Sequence, residues 1–240
     1  MIKKVVVAAA GRGARMLHLS QEKPKHLLEV AGKPFLYYLL SNLKEAGFTE
    51  VIMVIGYKKE LMEKFLKTYD GQFKITIVNQ FEKLGDKYGT ACPLECVQEL
   101  ILPDESFVMV MGDNLYSVKD LKKFFLNDNF NYISGLKHPE SSKYGVLIRD
   151  GEDFLEKIIE KPTTYVGDLI NTGLYKFTPD VFAKISLISK SSRGEYEITD
   201  VINLLAKEKK VKIREIEDFW LDFAKPDDVN TINDFLNNNH

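Results

Sequence analysis

The sequence has little of what marks most specialised classes of protein. Its 240 residues hold two cysteines, one tryptophan and four histidines. Cys92 and Cys96 are spaced to share one face of a helix, too far apart along its axis for an easy disulfide. No second cysteine pair and no histidine at ligand spacing accompanies them, which argues against a thiolate metal site. Two thiols in a chain of this size fit a reducing compartment. No apolar run approaches the roughly 20 residues that span a bilayer. The run Lys4–Ala9 is short, and Gly11-Arg12-Gly13 follows where a signal peptide would carry its cleavage site. A buried first strand is the better account, with the cytoplasm as the default location. A net charge of −2 gives no general attraction to nucleic acid or anionic membrane, so neither is expected as a partner. Any phosphate must then be met by a few placed cations. His18, His26, His138 and His240 show no pairing pattern and are expected on the surface or in loops. Linkers rich in Pro, Gly and Ser, repeats and low-complexity tracts are also missing, so one domain over 1–240 is expected.

What is present is ordinary globular material, 45% apolar and 28% charged. A chain of this length buries roughly 70% of its unfolded surface. The first half alternates strand and helix. Apolar runs at Lys4–Ala9, Val51–Ile55, Lys74–Gln80 and Phe107–Met111 predict strands. Between them, Leu36, Leu39, Leu40 and Leu43 recur at helical spacing before Gly47, and Lys58–Tyr69 and Ala91–Leu100 predict two more helices. Repeated β-α-β units imply a parallel sheet with its site at the C-terminal edge of the strands. After about residue 115, Tyr132–Lys137, Gly145–Arg149, Phe154–Glu160 and Leu169–Phe177 predict strands joined by turns. Two helices follow, one carrying Ile198, Val201, Ile202 and Leu205, then a short strand before Trp220 and a last helix near Pro226–Leu236. The expected fold is α/β: a Rossmann-like, mixed but mostly parallel sheet with helices on both faces and a β-rich second half.

Chemistry concentrates where strands end. Ala9-Ala10-Gly11-Arg12-Gly13-Ala14-Arg15-Met16 follows the first strand, and glycines there let backbone N–H groups approach a phosphate. Met16 stands where a dinucleotide fingerprint needs its last Gly, and no GK[ST] follows at P-loop spacing. A glycine turn serves equally well as a plain turn. Two arginines within it and Glu22-Lys23-Pro24-Lys25 beyond it weigh toward phosphate, with Arg15 and Lys25 able to converge on one polyphosphate. Lys23 reads as a solvated surface cation. Asp113 lies just past an apolar strand, where its carboxylate suits Mg²⁺, although an Asp that merely opens the turn Gly112-Asp113-Asn114 is the plainer alternative. Lys161, in Glu160-Lys161-Pro162, ends a strand and points from a fixed edge.

Taken in order, Gly11-x-Gly13-x-Arg15-Met16 and Pro24-Lys25-x-Leu27-Leu28-x-Val30-x-Gly32-Lys33-Pro34 resemble the signature of the sugar-1-phosphate nucleotidyltransferases, which make UDP-, dTDP-, GDP- and CDP-sugars. The resemblance continues through Gly89-Thr90-Ala91, Gly112-Asp113, Tyr144-Gly145-Val146, Glu160-Lys161-Pro162, Asn171-Thr172-Gly173 and Trp220-Leu221-Asp222, nearly the whole chain. Departures are mild: Ala14 replaces the usual Thr, and Ser20-Gln21-Glu22 replaces a Thr-led stretch. The segment Leu84–Tyr88 is an insertion relative to the family.

The resemblance implies a division of labour. Residues 1–115 would bind the nucleoside triphosphate and 116–240 the sugar 1-phosphate. Ala10, Gly11, Gly13, Gln80, Gly89 and Thr90 would meet the nucleotide, the Gln80 amide both donating to and accepting from a pyrimidine edge. Gly145, Glu160, Lys161, Asn171 and Thr172 would meet the sugar, with Lys161 on its phosphate and Glu160 on its hydroxyls. Asp113 and Asp222 would hold Mg²⁺, and Arg15 and Lys25 would stand on the departing pyrophosphate. A sugar-phosphate oxygen attacks the α-phosphorus in line, with Arg15, Lys25, Asp113 and Lys161 as the catalytic set and no protein nucleophile. Family frequency favours UTP, then dTTP, and glucose 1-phosphate. The alternatives are a cytidylyltransferase for an alcohol phosphate such as phosphocholine, and a non-catalytic regulatory homologue, which would be expected to have lost some of these charges. A nicotinamide dehydrogenase fails on the missing Gly. The β-helical acyltransferase domain of some relatives is expected to be absent, since the sequence stops at His240. A homo-oligomer stays open.

Overall fold

The computed structural model describes residues 2–151 and 153–238, so His240 lies outside the described residues. In chain order the strands are β1 Lys4–Ala9, β2 Glu29–Val30, β3 Lys33–Pro34, β4 Glu50–Ile55, β5 Lys74–Asn79, β6 Phe107–Met111, β7 Asn114–Tyr116, β8 Asn131–Lys137, β9 Gly145–Arg149, β10 Leu155–Glu160, β11 Leu169–Phe177, β12 Val211–Glu215 and β13 Trp220–Asp222. The α-helices are α1 Phe35–Ala46, α2 Lys59–Thr68, α3 Gln80–Leu84, α4 Cys92–Cys96, α5 Val118–Lys122, α6 Phe182–Ile185, α7 Ile198–Lys207 and α8 Asp227–Asn238.

The β-branched run of β1 puts that strand at the centre. It pairs in parallel with β4 on one side and β6 on the other, and β5 extends the parallel set beyond β4. Beyond β6 the direction reverses: β11 runs antiparallel to it and carries β8 and β9, while β10 and β12 complete the nine-stranded sheet. Alternation along β1 then sorts two cores. Val5, Val7 and Ala9 face α1, α2, α5 and α8; Val6 faces α4, α6 and α7. Helices therefore cover both faces, and strands from before and after residue 115 share the sheet.

Three local outcomes differ from the sequence pattern. The helix expected over Ala91–Leu100 is two pieces, α4 and a 3₁₀ turn at Gln98–Leu100. At the junction the bonds tighten to three-residue steps, the Val97 N–H donating to the Leu94 carbonyl at 3.3 Å and the Leu100 N–H to the Val97 carbonyl at 2.9 Å. The strand expected to reach Gln80 stops at Asn79, whose side chain accepts hydrogen bonds from the Phe81 and Glu82 N–H groups at 3.0 and 3.4 Å and opens α3. The glycine turn leads into a 3₁₀ segment, Ala14–Ser20, interrupted at Leu17 with φ 54° and ψ −129°.

β11 carries a bulge between Asn171 and Tyr175 in its pairing with β8. Gly173 sits inside it at φ 77°, where an added Cβ would lie 2.8 Å from Met111 Cγ. Only glycine tolerates both demands.

Candidate active site

At the C-terminal edge of β1 and β6 lies a cavity of about 470 Å³. The glycine turn forms one wall. Gly13 adopts φ 67°, and a Cβ there would stand 3.2 Å from the Lys25 side chain, so the missing side chain is what lets Lys25 pass. Lys25 is buried to 7% exposure and its ammonium pairs with Asp113 Oδ2. The other Asp113 oxygen accepts from Asn114 Nδ2 at 3.1 Å. Asp222, far away in sequence, arrives because β13 pairs antiparallel with β7, which sets Asp222 opposite Asn114. Phe223 continues that pairing, its N–H donating to the Asp113 carbonyl at 2.8 Å while its ring stacks on Phe35 of α1 at 4.4 Å.

Two carboxylates held together this way ionise differently. Burial pushes the Asp113 carboxyl up, but the Lys25 ammonium, as charge and as donor, outweighs it and holds Asp113 below the usual carboxylate range. Burial, and then the Asp113 charge, push Asp222 up to about 7. His26 corrects the expectation of surface histidines: it is fully buried, and burial together with the Lys25 charge lowers it to about 3, so it is a neutral imidazole. His18 is exposed, and His138 is half-buried with its Nδ1 accepting from the Glu140 N–H at 3.0 Å.

The opposite wall comes from β9, β10 and β11. Glu160 and Gly145 are register partners, and a Cβ on Gly145 would meet Glu160 Oε2 at 2.9 Å, so Gly145 leaves the space this carboxylate occupies. Burial raises Glu160, against the charges of Arg193 and Lys161. Lys161 takes φ 44° and is exposed; its N–H donates to the Tyr144 carbonyl at 3.0 Å. Asn171 and Thr172 line the cavity with polar groups already engaged in the protein. Asn171 Nδ2 donates to the Tyr175 hydroxyl and its Oδ1 accepts from the Gly173 N–H, both at 2.9 Å, and the Thr172 hydroxyl meets Ser134 Oγ at 2.5 Å.

All the residues expected to meet nucleotide, sugar or metal line this one cavity: Ala10, Gly11, Gly13, Arg15 and Lys25; Gln80, Gly89, Thr90 and Asp113; Gly145, Glu160, Lys161, Asn171, Thr172 and Asp222. The sequence reading missed His26, Tyr88, Arg193, Glu197 and Trp220, which line it too. Arg193 and Glu197 carry a usable signal in their i, i+4 opposite charges just before a predicted helix. His26 carries one only through its place beside Lys25. Among the described residues, four buried side-chain atoms lack a partner, His26 Nδ1, Gln80 Oε1, Asn114 Oδ1 and Trp220 Nε1, and all four belong to residues of this lining. Buried polar groups left open in one cavity are what a polar ligand would satisfy.

A cation-bearing cleft at the C-terminal edge of a parallel sheet is the arrangement of α/β proteins that handle phosphorylated ligands. Residues 4–239 match the family described as nucleotidyl transferase. The UTP–glucose-1-phosphate uridylyltransferase AglF of Haloferax volcanii is 33% identical over 234 residues, covering 94% of this chain and 93% of that protein. A bifunctional sugar-1-phosphate nucleotidylyltransferase/acetyltransferase of Sulfurisphaera tokodaii is 34% identical over 231 residues, 96% of this chain but 54% of that protein, so the chain spans about half its length. A UDP-glucose pyrophosphorylase crystallised with UDP-glucose has the same fold, with a TM-score of 0.86 over 100% of both chains at 22% identity. The chain belongs to the nucleotidyl transferase family of enzymes. No described helix is long and apolar enough to cross a membrane.

Proposed function

We propose that this enzyme joins a nucleoside triphosphate, UTP first and dTTP second, to a sugar 1-phosphate, with glucose 1-phosphate the leading acceptor. Its support is one cavity that brings cations and paired carboxylates together between the glycine turn and the wall from β9, β10 and β11. UTP and glucose 1-phosphate are favoured because AglF, which aligns over nearly its full length, carries both in its name.

Gln80, with its buried Oε1 open, faces the nucleobase, and Ala10, Gly11 and Gly13 bring backbone up to the phosphates. Arg15 forms no ion pair among the described residues and is free to take the pyrophosphate. Lys25 stands between that group and Asp113. Across the cavity Lys161 and Arg193 receive the sugar phosphate and Glu160 accepts from sugar hydroxyls. Asn171 and Thr172 shape that wall, their hydrogen bonds already spent on holding the bulge. These cations bring together two anions that repel each other, and fixed geometry of this kind is worth effective molarities on the order of 10⁵ M or more.

Asp113 and Asp222 fit Mg²⁺. They are two carboxylates forced together by β7 and β13, and no set of three Cys, His, Asp or Glu ligands occurs among the described residues. Such a pair suits a hard cation that takes one or two carboxylates and fills its sphere with phosphate oxygens and water. When bound, the ion would neutralise charge on the transferring phosphoryl group.

The test is pyrophosphate release with Mg²⁺ across the common NTPs, each paired with glucose 1-phosphate, N-acetylglucosamine 1-phosphate, mannose 1-phosphate or phosphocholine. Release that requires both partners, largest with UTP and glucose 1-phosphate, is expected. Release only with CTP and phosphocholine, or none at all, would overturn the proposal.

A further inference from the structure

Residues 191–197, which line the cavity through Arg193, Glu195 and Glu197, are held by one buried carboxylate. Glu197 is 3% exposed. Its Oε1 accepts from Arg193 Nη2 at 2.8 Å, from Arg193 Nε at 3.2 Å and from Ser191 Oγ at 3.0 Å. Its Oε2 accepts from the Thr90 hydroxyl at 3.3 Å, and that hydroxyl in turn accepts from the Ile198 N–H at 2.9 Å. Backbone bonds reinforce the junction, Ala91 N–H to the Tyr196 carbonyl at 2.9 Å and Tyr196 N–H to the Tyr88 carbonyl at 3.0 Å. Gly89 belongs to the same junction. At φ 139°, a Cβ there would stand 2.2 Å from the Tyr196 carbonyl oxygen, so its missing side chain serves this contact.

Arg193 lies between two carboxylates. It gives Glu197 two N–H groups and gives Glu160 Oε1 one longer contact, 3.3 Å from Nη2. Its side chain is 35% exposed and lines the cavity. A buried carboxylate cannot release its cation without a large penalty, whereas Glu160 can exchange Arg193 for a ligand hydroxyl. Without the Glu197 charge, the guanidinium would collapse onto Glu160 and occupy the acceptor meant for the sugar.

We propose that Glu197 is a positioning residue for the sugar phosphate: anchored to Thr90 on the nucleotide wall, it draws Arg193 off Glu160 and holds it facing the acceptor phosphate. This rests on the function proposed above.

The experiment compares wild type, Glu197→Gln, Arg193→Gln and the double variant, by calorimetric titration with UTP and with UDP-glucose and by thermal melting. Glu197→Gln should weaken UDP-glucose by about tenfold or more, the scale of one lost charge-assisted contact. UTP, which has no glucosyl phosphate, should weaken by less than about threefold. The double variant should bind UDP-glucose no more weakly than Arg193→Gln alone, because Glu197 acts through Arg193. It should also melt above Arg193→Gln, which leaves Glu197 buried without its cation. Equal losses for both ligands, or losses that add in the double variant, would reduce Glu197 to a structural role and overturn the proposal. Wild type that binds neither ligand and releases no pyrophosphate would instead remove the function beneath it.

Discussion

Asp113 accepts the Lys25 ammonium on one oxygen and the Asn114 amide on the other, while Asp222 across from it is pushed up to about 7 by burial and by the Asp113 charge. A cation joining them would favour the charged form of both, Asp222 included. Asp113→Asn should therefore cut turnover by about 100-fold or more, the scale seen when one fixed electrostatic contact is removed from a transition state. The far-UV circular dichroism should not change, since Lys25 can turn to Asp222. Turnover near wild type at saturating Mg²⁺ would contradict the metal assignment. At this scale the sequence was legible as far as placement: Arg15, Lys25, Asp113 and Lys161, chosen by residue type and family pattern, all line the cavity. It was not legible for His26, whose neutrality comes from burial beside Lys25, and for Glu197 the i, i+4 charges disclose Arg193 but not the distant Thr90.

β13 is three residues long and carries Asp222, and no periodicity marks so short a strand. It is held through the turn before it. Asp120 of α5 is fully buried; its Oδ1 accepts from the Glu217 N–H at 2.9 Å, and its Oδ2 accepts from the Asp218 N–H at 3.0 Å and Ser117 Oγ at 2.8 Å. Burial raises this carboxyl, but the backbone and hydroxyl donors outweigh it and hold it below the usual range. A folded pKa below the unfolded value of about 3.9 gives stability that is present above that pH and lost as pH falls through the folded value. Asp120→Asn should cost about 1–3 kcal/mol at neutral pH, because an amide cannot accept on both sides. The gap in urea midpoint between variant and wild type should close as pH drops below about 4. A gap that persists at low pH would mean the carboxylate charge is not what fastens the turn. Longer elements were legible in type because burial and periodicity coincide in them, as in β1, α1 and β11. Boundaries moved where a side chain intervened, as when Asn79 caps α3 and turns Gln80 from a strand end into a helix start.

Across the whole molecule, the expected α/β sheet followed from alternating strands and helices, and no local pattern disclosed that β11 would bulge at Gly173 or that β13 would find β7. Those are long-range pairings whose partners compete only in the folded chain. Their consequence is that the cavity draws on residues from Ala8 to Ala224, supplied by strands on both sides of the sheet's change of direction. A ligand filling it ties the parallel and antiparallel parts together. UDP-glucose with Mg²⁺, at about one hundred times its dissociation constant, should stabilise the fold by about 2.7 kcal/mol. For a chain of this size that is a rise of about 5–10 °C in the melting midpoint. One cooperative transition should be seen with and without ligand, because the two cores share β1 and β6. Calorimetry checks this directly. Two transitions, of which only one moves with UDP-glucose, would mean that the nucleotide-facing and sugar-facing parts unfold separately and that the ligand engages only one of them.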